Sequence, residues 1–357
     1  MTTMLVTGAA GFIGANFVHY WRRQFPATRL IVLDALTYAG NRDNISTLEG
    51  SAEFQFVHGD ICDQALVEQL LTTFTVDTLV HFAAESHVDR SISGPDAFIN
   101  TNIIGTHALL KAARTVWSAQ GGFAGKRFHH VSTDEVYGTL GAKDPAFTED
   151  TSYAPNSPYA ASKAASDHIV RAYHHTYGLP VTTSNCSNNY GPYQFPEKLL
   201  PLCLLNILHG KPLPIYGDGQ QVRDWLHVED HNRGIALILA EGVVGETYNI
   251  GGNNEWANLD TVKLLCSIVD TLFGTSEALR VRFPASPAAQ GKTSASLISF
   301  VTDRPGHDTR YAIDAGKITR ALGYEPRVSF EAGLLQTVHW YLENEQWWRS
   351  LQARPHV

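Results

Sequence analysis

Met4-Leu5-Val6-Thr7-Gly8-Ala9-Ala10-Gly11-Phe12-Ile13-Gly14 is the stretch that decides the fold. A short buried-strand pattern runs straight into glycines, and the apolar spacing then takes the helical period over residues 12–23. Gly8, Gly11 and Gly14 permit a tight turn and a close approach of the backbone to a ligand. The helix start offers unpaired N–H groups and a positive dipole end to a pyrophosphate. The spacing is G-x-x-G-x-x-G rather than G-x-G-x-x-G, and a glycine turn alone is a weak signal. Its weight comes from Asp34, which closes the next apolar strand, Leu30-Ile31-Val32-Leu33. A carboxylate there accepts hydrogen bonds from adenosine ribose hydroxyls and repels a 2′-phosphate, so NAD is favoured over NADP. Asp60-Ile61, after a third strand, is placed to receive the adenine.

Outward from this turn, the first half of the chain alternates apolar runs (54–57, 78–82, 128–132) with helical patterns (64–74, 102–116, and from Pro158 onward). Strands without polar alternation, separated by helices, indicate a parallel sheet covered on both faces. The fold class is α/β, a Rossmann-type doubly wound parallel sheet with a smaller C-terminal α/β lobe. The expected division is residues 1–185 for the dinucleotide-binding domain, with a return segment near 226–250, and 186–357 mainly for the lobe. Residues 284–296 read as a flexible surface loop and 330–348 as one amphipathic tail helix, with Trp340, Trp347 and Trp348 as packing residues.

Composition removes several classes. The formal charge of −8 lacks the basic footprint of a nucleic-acid or anionic-membrane binder. Four cysteines stand far apart, without the spacing of a disulfide framework or a metal site, and reduced thiols in a cytoplasmic protein are expected. No metal, signal peptide or membrane span is expected.

Tyr159-Ala-Ala-Ser-Lys163 puts a phenol and an ammonium one turn apart on a helix, an arrangement that favours phenolate and makes Tyr159 a general base. Y-x-x-x-K is common on surfaces; it gains meaning beside the glycine turn and beside Ser132-Thr133 at the end of an upstream strand. Thr133 can hydrogen-bond the same substrate oxygen. Asp134 and Glu135 follow at the carboxyl end of that strand, where parallel sheets bind ligands. Adjacent carboxylates can be a helix cap or solvated charges. Hydride transfer alone needs only the hydroxyl, phenol and lysine, so the extra pair points to elimination of water by one acid and one base.

With these motifs the chain resembles the dTDP-glucose 4,6-dehydratases of the extended short-chain dehydrogenase/reductase class. The resemblance rests on the glycine turn, Asp34-Ala-Leu-Thr-Tyr-Ala-Gly-Asn, His81-Phe-Ala-Ala-Glu-Ser-His-Val-Asp-Arg, Ser132-Thr-Asp-Glu-Val-Tyr-Gly and the Tyr159–Lys163 motif. Later segments share it: Asn185-Cys-Ser-Asn-Asn-Tyr-Gly-Pro-Tyr, Phe195-Pro-Glu-Lys, Arg223-Asp-Trp and Asp303-Arg-Pro-Gly-His-Asp. It implies oxidation at C4 of a glucose nucleotide, loss of water across C5 and C6, and reduction at C6, all on one tightly held NAD. The catalytic residues would be Thr133, Asp134, Glu135, Tyr159 and Lys163.

The resemblance places Phe12, Ile13, Asp34, Ala35, Leu36, Thr37, Asp60, Ile61, Phe82, Ala83, Ala84, Glu85, Ser86, Thr101, Tyr159, Lys163 and Asn189 at NAD. Around dTDP-glucose it places Ser86, Thr133, Asn188, Glu197, Lys198, Leu199, Pro214, Ile215, Tyr216, Arg223, Asn258, Asp303, Arg304, Pro305, Gly306 and His307. Arg223 suits a diphosphate on physical grounds as well. The resemblance also implies a homodimer built on the helices near 102–116 and 159–177. A nucleotide-sugar 4-epimerase would share fold, cofactor and Tyr–Lys pair but would have no use for an acid/base pair at C5 and C6. A UDP- or GDP-sugar 4,6-dehydratase would differ mainly in base recognition, and a non-catalytic NAD sensor would not need the four catalytic groups together.

Overall fold

The strands of the computed structural model, which describes residues 2–353, run in chain order β1 (Thr3–Thr7), β2 (Arg29–Asp34), β3 (Phe54–His58), β4 (Thr78–His81), β5 (Arg127–Thr133) and β6 (Val181–Cys186). Then follow β7 (Asn188–Tyr190), β8 (Leu213–Tyr216), β9 (Val222–His227), β10 (Thr247–Ile250), β11 (Glu255–Ala257) and β12 (Ile298–Val301). Met1 and residues 354–357, which the expected domain ranges include, lie outside the described residues.

Seven strands form one sheet in the order β10-β6-β5-β4-β1-β2-β3, with every neighbouring pair parallel. The reversal of strand order beside β1 opens a crevice at the carboxyl ends, where doubly wound sheets take their ligands. Period-two alternation sends successive strand residues to opposite cores. Met4, Val6, Leu30 and Val32 pack with Phe17, Val18, Ile235 and Ile238, from helices Phe12–Gln24 and Val228–Glu241. Leu5, Ile31, Leu33 and Leu79 pack with Leu70, Leu109 and Val170, from the helices of the other face. Both sides of these strands are dry, which is why they read as continuous apolar runs.

The second lobe has its own core. Leu200, Leu204 and Leu208 meet Val262, Leu265 and Phe273, closed by Phe330, Leu334 and Trp348. Two small sheets, β11-β9-β7 and β12-β8, lie in this part of the chain.

Three local expectations change. Residues 284–296 are not a loose loop. Two short 3₁₀ turns, Pro287–Gln290 and Ser294–Leu297, seat Ala288, Ala289 and Ala295 against the lobe core, and Asp270 takes the Ser294 backbone N–H at 3.1 Å and its hydroxyl. The tail helix breaks at Asn344 into Phe330–Glu343 and Glu345–Gln352. The break lets the Trp348 indole donate to the Tyr341 carbonyl at 2.9 Å inside the core. The helix expected near 102–116 begins as a π-helical turn, Ile99–Gly105, before the regular Thr106–Ala119. A Cβ on Gly105 would sit 2.6 Å from Ile61 Cδ1, so the widened turn and the glycine let this helix close against the strand-end loop.

Candidate active site

The glycine turn is built as a cradle. Gly8 has φ +70°, and a Cβ there would lie 2.5 Å from Ala83 N; a Cβ on Gly14 would lie 2.4 Å from Gly8 O. Neither position tolerates a side chain, which brings the Phe12–Gln24 helix start against the sheet. Ala9 and Ala10 are fully buried and outside the left-handed region, so alanine serves where glycine is more usual. The helix has no acidic residue in its first turn and carries Arg22 and Arg23 in its last, the polarity that welcomes an anion at its start. Asp34 Oδ2 accepts from Ala10 N and Oδ1 from Leu36 N, both at 2.8 Å. Burial raises the Asp34 carboxyl, and those two amides oppose the shift.

One cleft runs from this turn across the carboxyl ends of β1, β2, β4, β5 and β6. Its lining unites Gly8, Gly11, Phe12, Ile13, Gly14, Asp34, Ala35, Thr37, Asp60, Ile61, Phe82 through Ser86, Thr101 and Asn189 with Thr133, Asp134, Glu135, Tyr159, Lys163, Asn188, Glu197 and Lys198. Leu36 and Leu199 stand beside lining residues but outside the lining. Sequence reasoning missed several wall residues, among them Tyr38, Gln194 and Phe195. It also missed Asn102, whose side chain exchanges hydrogen bonds with Glu85 (2.9 and 3.0 Å) and donates to Ser162 Oγ at 2.8 Å, fixing the wall to the Tyr159 helix. A polar residue on the buried side of an apolar helical pattern was the available signal.

The catalytic candidates meet where β5 ends and the Pro158–Tyr177 helix begins. Thr133 caps the short Asp134–Tyr137 turn: its hydroxyl accepts from Glu135 N at 3.3 Å and donates to Asp134 Oδ1 at 3.4 Å. Ser157 caps the helix, and Pro158 at its first position sets the start, so Tyr159 and Lys163 share a face. Lys163 Nζ donates to Val131 O at 2.9 Å.

The two carboxyls are unequal. Asp134 is buried and its Oδ2 has no hydrogen-bond partner; burial, then Glu135 and Asp224, hold its carboxyl well above the usual range. Half-buried Glu135 is raised by burial but restrained by Arg304, Arg223 and Lys198. Neighbouring carboxyls pushed apart in this way suit one as acid and the other as base. The phenol behaves otherwise than the sequence suggests. Burial, then Glu135, pushes Tyr159 well above its ordinary value, Thr133 opposes this, and Lys163 is not among the leading influences. Lys163 is itself lowered by burial.

The remaining substrate candidates belong to the second lobe and lie outside the cleft lining. Tyr216 OH donates to Asp89 Oδ2 at 3.2 Å, and Arg304 Nη1 meets Asp89 Oδ1 at 3.3 Å, so both reach across to the first domain. Arg304 Nε is buried without a partner. Asp303 Oδ1 pairs with His307 Nδ1 at 2.6 Å and accepts from Arg304 N. Pro305 and Gly306 complete that turn. Pro214 is half-buried, and the Ile215 side chain is buried in the lobe core. Asn258 begins the Asn258–Thr275 helix with its Oδ1 buried and unpartnered. The Arg223 guanidinium lies 4.3 Å over the Tyr311 ring and donates to the carbonyls of Val222 and Asp308. Its charge bears on Asp134 and Glu135.

Among the described residues no group of histidine, cysteine and carboxylate side chains could hold a metal ion, and no helix is long and apolar enough to cross a membrane.

A Rossmann sheet with a glycine cradle, a carboxylate closing the second strand and a helical Tyr–Lys pair over one crevice defines an extended short-chain dehydrogenase/reductase. Its strand-end Thr-Asp-Glu narrows the class, and the chain belongs to the GDP-mannose 4,6 dehydratase family, whose model matches residues 5–337, and within it to the dTDP-glucose 4,6-dehydratases. The dTDP-glucose 4,6-dehydratase of Xanthomonas campestris pv. campestris is 57% identical over 352 residues, covering 97% of this chain and 95% of that one. The crystal structure of DesIV, the dTDP-glucose 4,6-dehydratase of Streptomyces venezuelae with NAD bound, superposes with TM-score 0.86 at 48% identity, covering 98% of this chain and all of that chain. That of the Bacillus anthracis dTDP-glucose 4,6-dehydratase in complex with NAD gives 0.84 at 45%, with the same coverage.

Proposed function

We propose that the protein dehydrates dTDP-glucose to dTDP-4-keto-6-deoxyglucose with NAD as a resident cofactor. The observation that carries this reading is the unequal Asp134–Glu135 pair in the same cleft as Tyr159, Lys163 and the glycine cradle. The cradle, Asp34 and the start of the Phe12–Gln24 helix fit a dinucleotide, and Asn188 Oδ1, buried in the lining without a partner, offers one more acceptor. When bound, NAD supplies a hydride acceptor for C4 and a hydride donor for C6.

The chain's own groups then move the protons. Tyr159, reacting as a phenolate supported by Lys163, takes the C4 hydroxyl proton and becomes neutral, with Thr133 holding the same oxygen. A ketone at C4 acidifies C5, whose proton Glu135 removes. Asp134, kept neutral by burial and by its neighbour, donates a proton to the C6 hydroxyl, which leaves as water. A proton returned to C5 restores saturation. Incubation with dTDP-, UDP-, GDP- and CDP-glucose, followed by mass, tests the substrate: loss of one water from the dTDP sugar far ahead of the others is expected. Loss mainly from another nucleotide would overturn the base assignment, and no loss from any would overturn the reaction.

The working form is a homodimer in this proposal. Ile103, Ile104, His107, Ile169, Ala172, Tyr173, Thr176 and Tyr177 line an open apolar groove between the two helices named above, and Ile104 is half exposed. A patch of this kind on paired helices suits a self-complementary interface. Ile104→Glu should shift sedimentation from dimer to monomer, and a monomeric parent would refute the interface. Four unpaired cysteines support a reducing, cytoplasmic setting.

A further inference from the structure

Behind the Tyr159–Lys163 pair lies a buried polar shell that the proposed mechanism does not use. Its centre is Asp167, one turn beyond Lys163 on the same helix. Its carboxylate collects three side-chain contacts from outside the helix. Oδ1 meets His130 Nε2 at 3.0 Å, and Oδ2 accepts from Ser132 Oγ at 2.8 Å and Tyr153 OH at 3.0 Å. His130 Nδ1 has no partner, which assigns the proton to Nε2 and makes the ring a neutral donor to Asp167. Among the described residues, Lys163 Nζ by contrast donates to the neutral Val131 carbonyl, at 2.9 Å. A buried ammonium without a compensating charge is costly.

We propose that Asp167 is the positioning counter-ion of the catalytic lysine: it keeps Lys163 charged inside the protein and pins the end of β5, which carries Ser132 and Thr133, to the catalytic helix. The surroundings leave little else to do so. His81 on β4 and His130 on β5 are held far toward their neutral forms by burial and by positive charge nearby. The Cys186 thiol on β6, and the Tyr137 and Tyr153 phenols, are raised and so remain neutral, as does Asp134. His168, the next residue on the helix, contributes positive character that favours ionised Asp167. Burial raises Asp167 only to about 6, so above neutrality it is an anion.

The inference rests on the role given to Lys163, and two readouts keep the failures apart. The first is the pH profile of C4 oxidation. Asp167→Asn keeps the side chain's shape but removes its charge. The alkaline limb of the C4 oxidation step, read as enzyme-bound NADH formed on mixing and so independent of Asp134, should then fall by about one pH unit, because an uncompensated lysine gives up its proton sooner. KM should stay within about two-fold, since Asp167 is outside the cleft lining. Tyr153→Phe removes one donor but leaves the carboxylate ionised at high pH, so its limb should coincide with the parent's. An Asn variant with the parental limb would overturn the proposal.

The second readout needs no turnover. Thermal melting at pH 7 of Lys163→Met, Asp167→Asn and the double variant should show strong non-additivity, the double melting above Asp167→Asn by several degrees. This comparison holds even if the single Asn variant is recovered only partly folded. A double variant no more stable than Asp167→Asn would show that the two residues do not pair, whatever the catalytic role of Lys163.

Discussion

The glycine-cradle end of the cleft and the second-lobe substrate candidates beyond it are held together by different forces. Around Gly8, Asp34 and Phe82, neighbouring strand ends and their turns supply the wall, and backbone geometry leaves little freedom. Gly8 and Gly14 have no room for a Cβ, and Asp34 is locked by two amides. The substrate candidates Tyr216, Arg304 and His307, outside the cleft lining, come from segments far from the first domain in sequence, and side-chain pairs such as Asp89–Arg304 join them to it. Asp89 and Tyr216 are more than a third exposed, so these links are weak. Rigid backbone is suited to a cofactor that stays, and exchangeable side-chain contacts to a substrate that comes and goes.

Substitutions at the junction of the two regions should have the largest effect. Glu135→Gln should slow loss of water from dTDP-glucose by about 10²–10⁴-fold and abolish exchange of the C5 hydrogen with solvent, followed by mass. Asp134→Asn should slow water loss comparably while C5 exchange survives, since the base remains. If both variants retain parental rates, the pair only binds substrate. The pH dependence follows from the same assignment. Glu135 must be ionised, so activity falls as pH drops through its raised value; Asp134 must be protonated, so activity falls as pH climbs through its own.

Next in size is Asp34→Arg, in the rigid region. It removes the ribose acceptor and should weaken NAD binding by at least about ten-fold, or ~1.4 kcal/mol, by calorimetry, while narrowing the preference over NADP. Undiminished affinity would separate Asp34 from the ribose.

A stability effect of opposite sign comes from Asp134. A carboxyl whose folded value is raised contributes stability below its unfolded value, and that stability is lost as pH rises. Asp134→Asn should therefore melt higher than the parent at pH 8, by about 2–4 °C per ~1 kcal/mol relieved, and the gap should close toward pH 4. An equal gap at both values would mean that burial of the charge is not the cause. The smallest effect belongs to the exchangeable contacts: Asp89→Asn should change KM less than about five-fold, within the ~1 kcal/mol of an exposed pair, and leave kcat alone.

The same contrast explains what the sequence discloses. The glycine turn, Asp34, the Tyr159–Lys163 spacing and the Ser132-Thr-Asp-Glu run are legible because each is a local pattern with one geometric meaning. Alternating strands and helices gave the parallel sheet for the same reason. The electrostatics of Tyr159 were not legible: local spacing suggests a lysine-activated phenol, but burial by distant segments outweighs it. Arg223 was legible as a candidate, but its hydrogen bonds to the Val222 and Asp308 carbonyls were not, because no short pattern announces the path of that lobe. The packing of residues 284–296 was hidden likewise, because a run of alanine and serine looks like a loop until Asp270 and the lobe core are placed beside it.

The acid/base division between Asp134 and Glu135 is the central claim, and turnover of dTDP-glucose in D₂O tests it most directly. Product isolated after a single pass should carry one deuterium at C5, located by mass and proton spectra, with hydrogen originally at C4 found at C6. The Glu135→Gln variant should incorporate none at C5. Product formed at the parental rate without deuterium at C5, or with the C4 hydrogen restored to C4 and no water lost, would contradict the account.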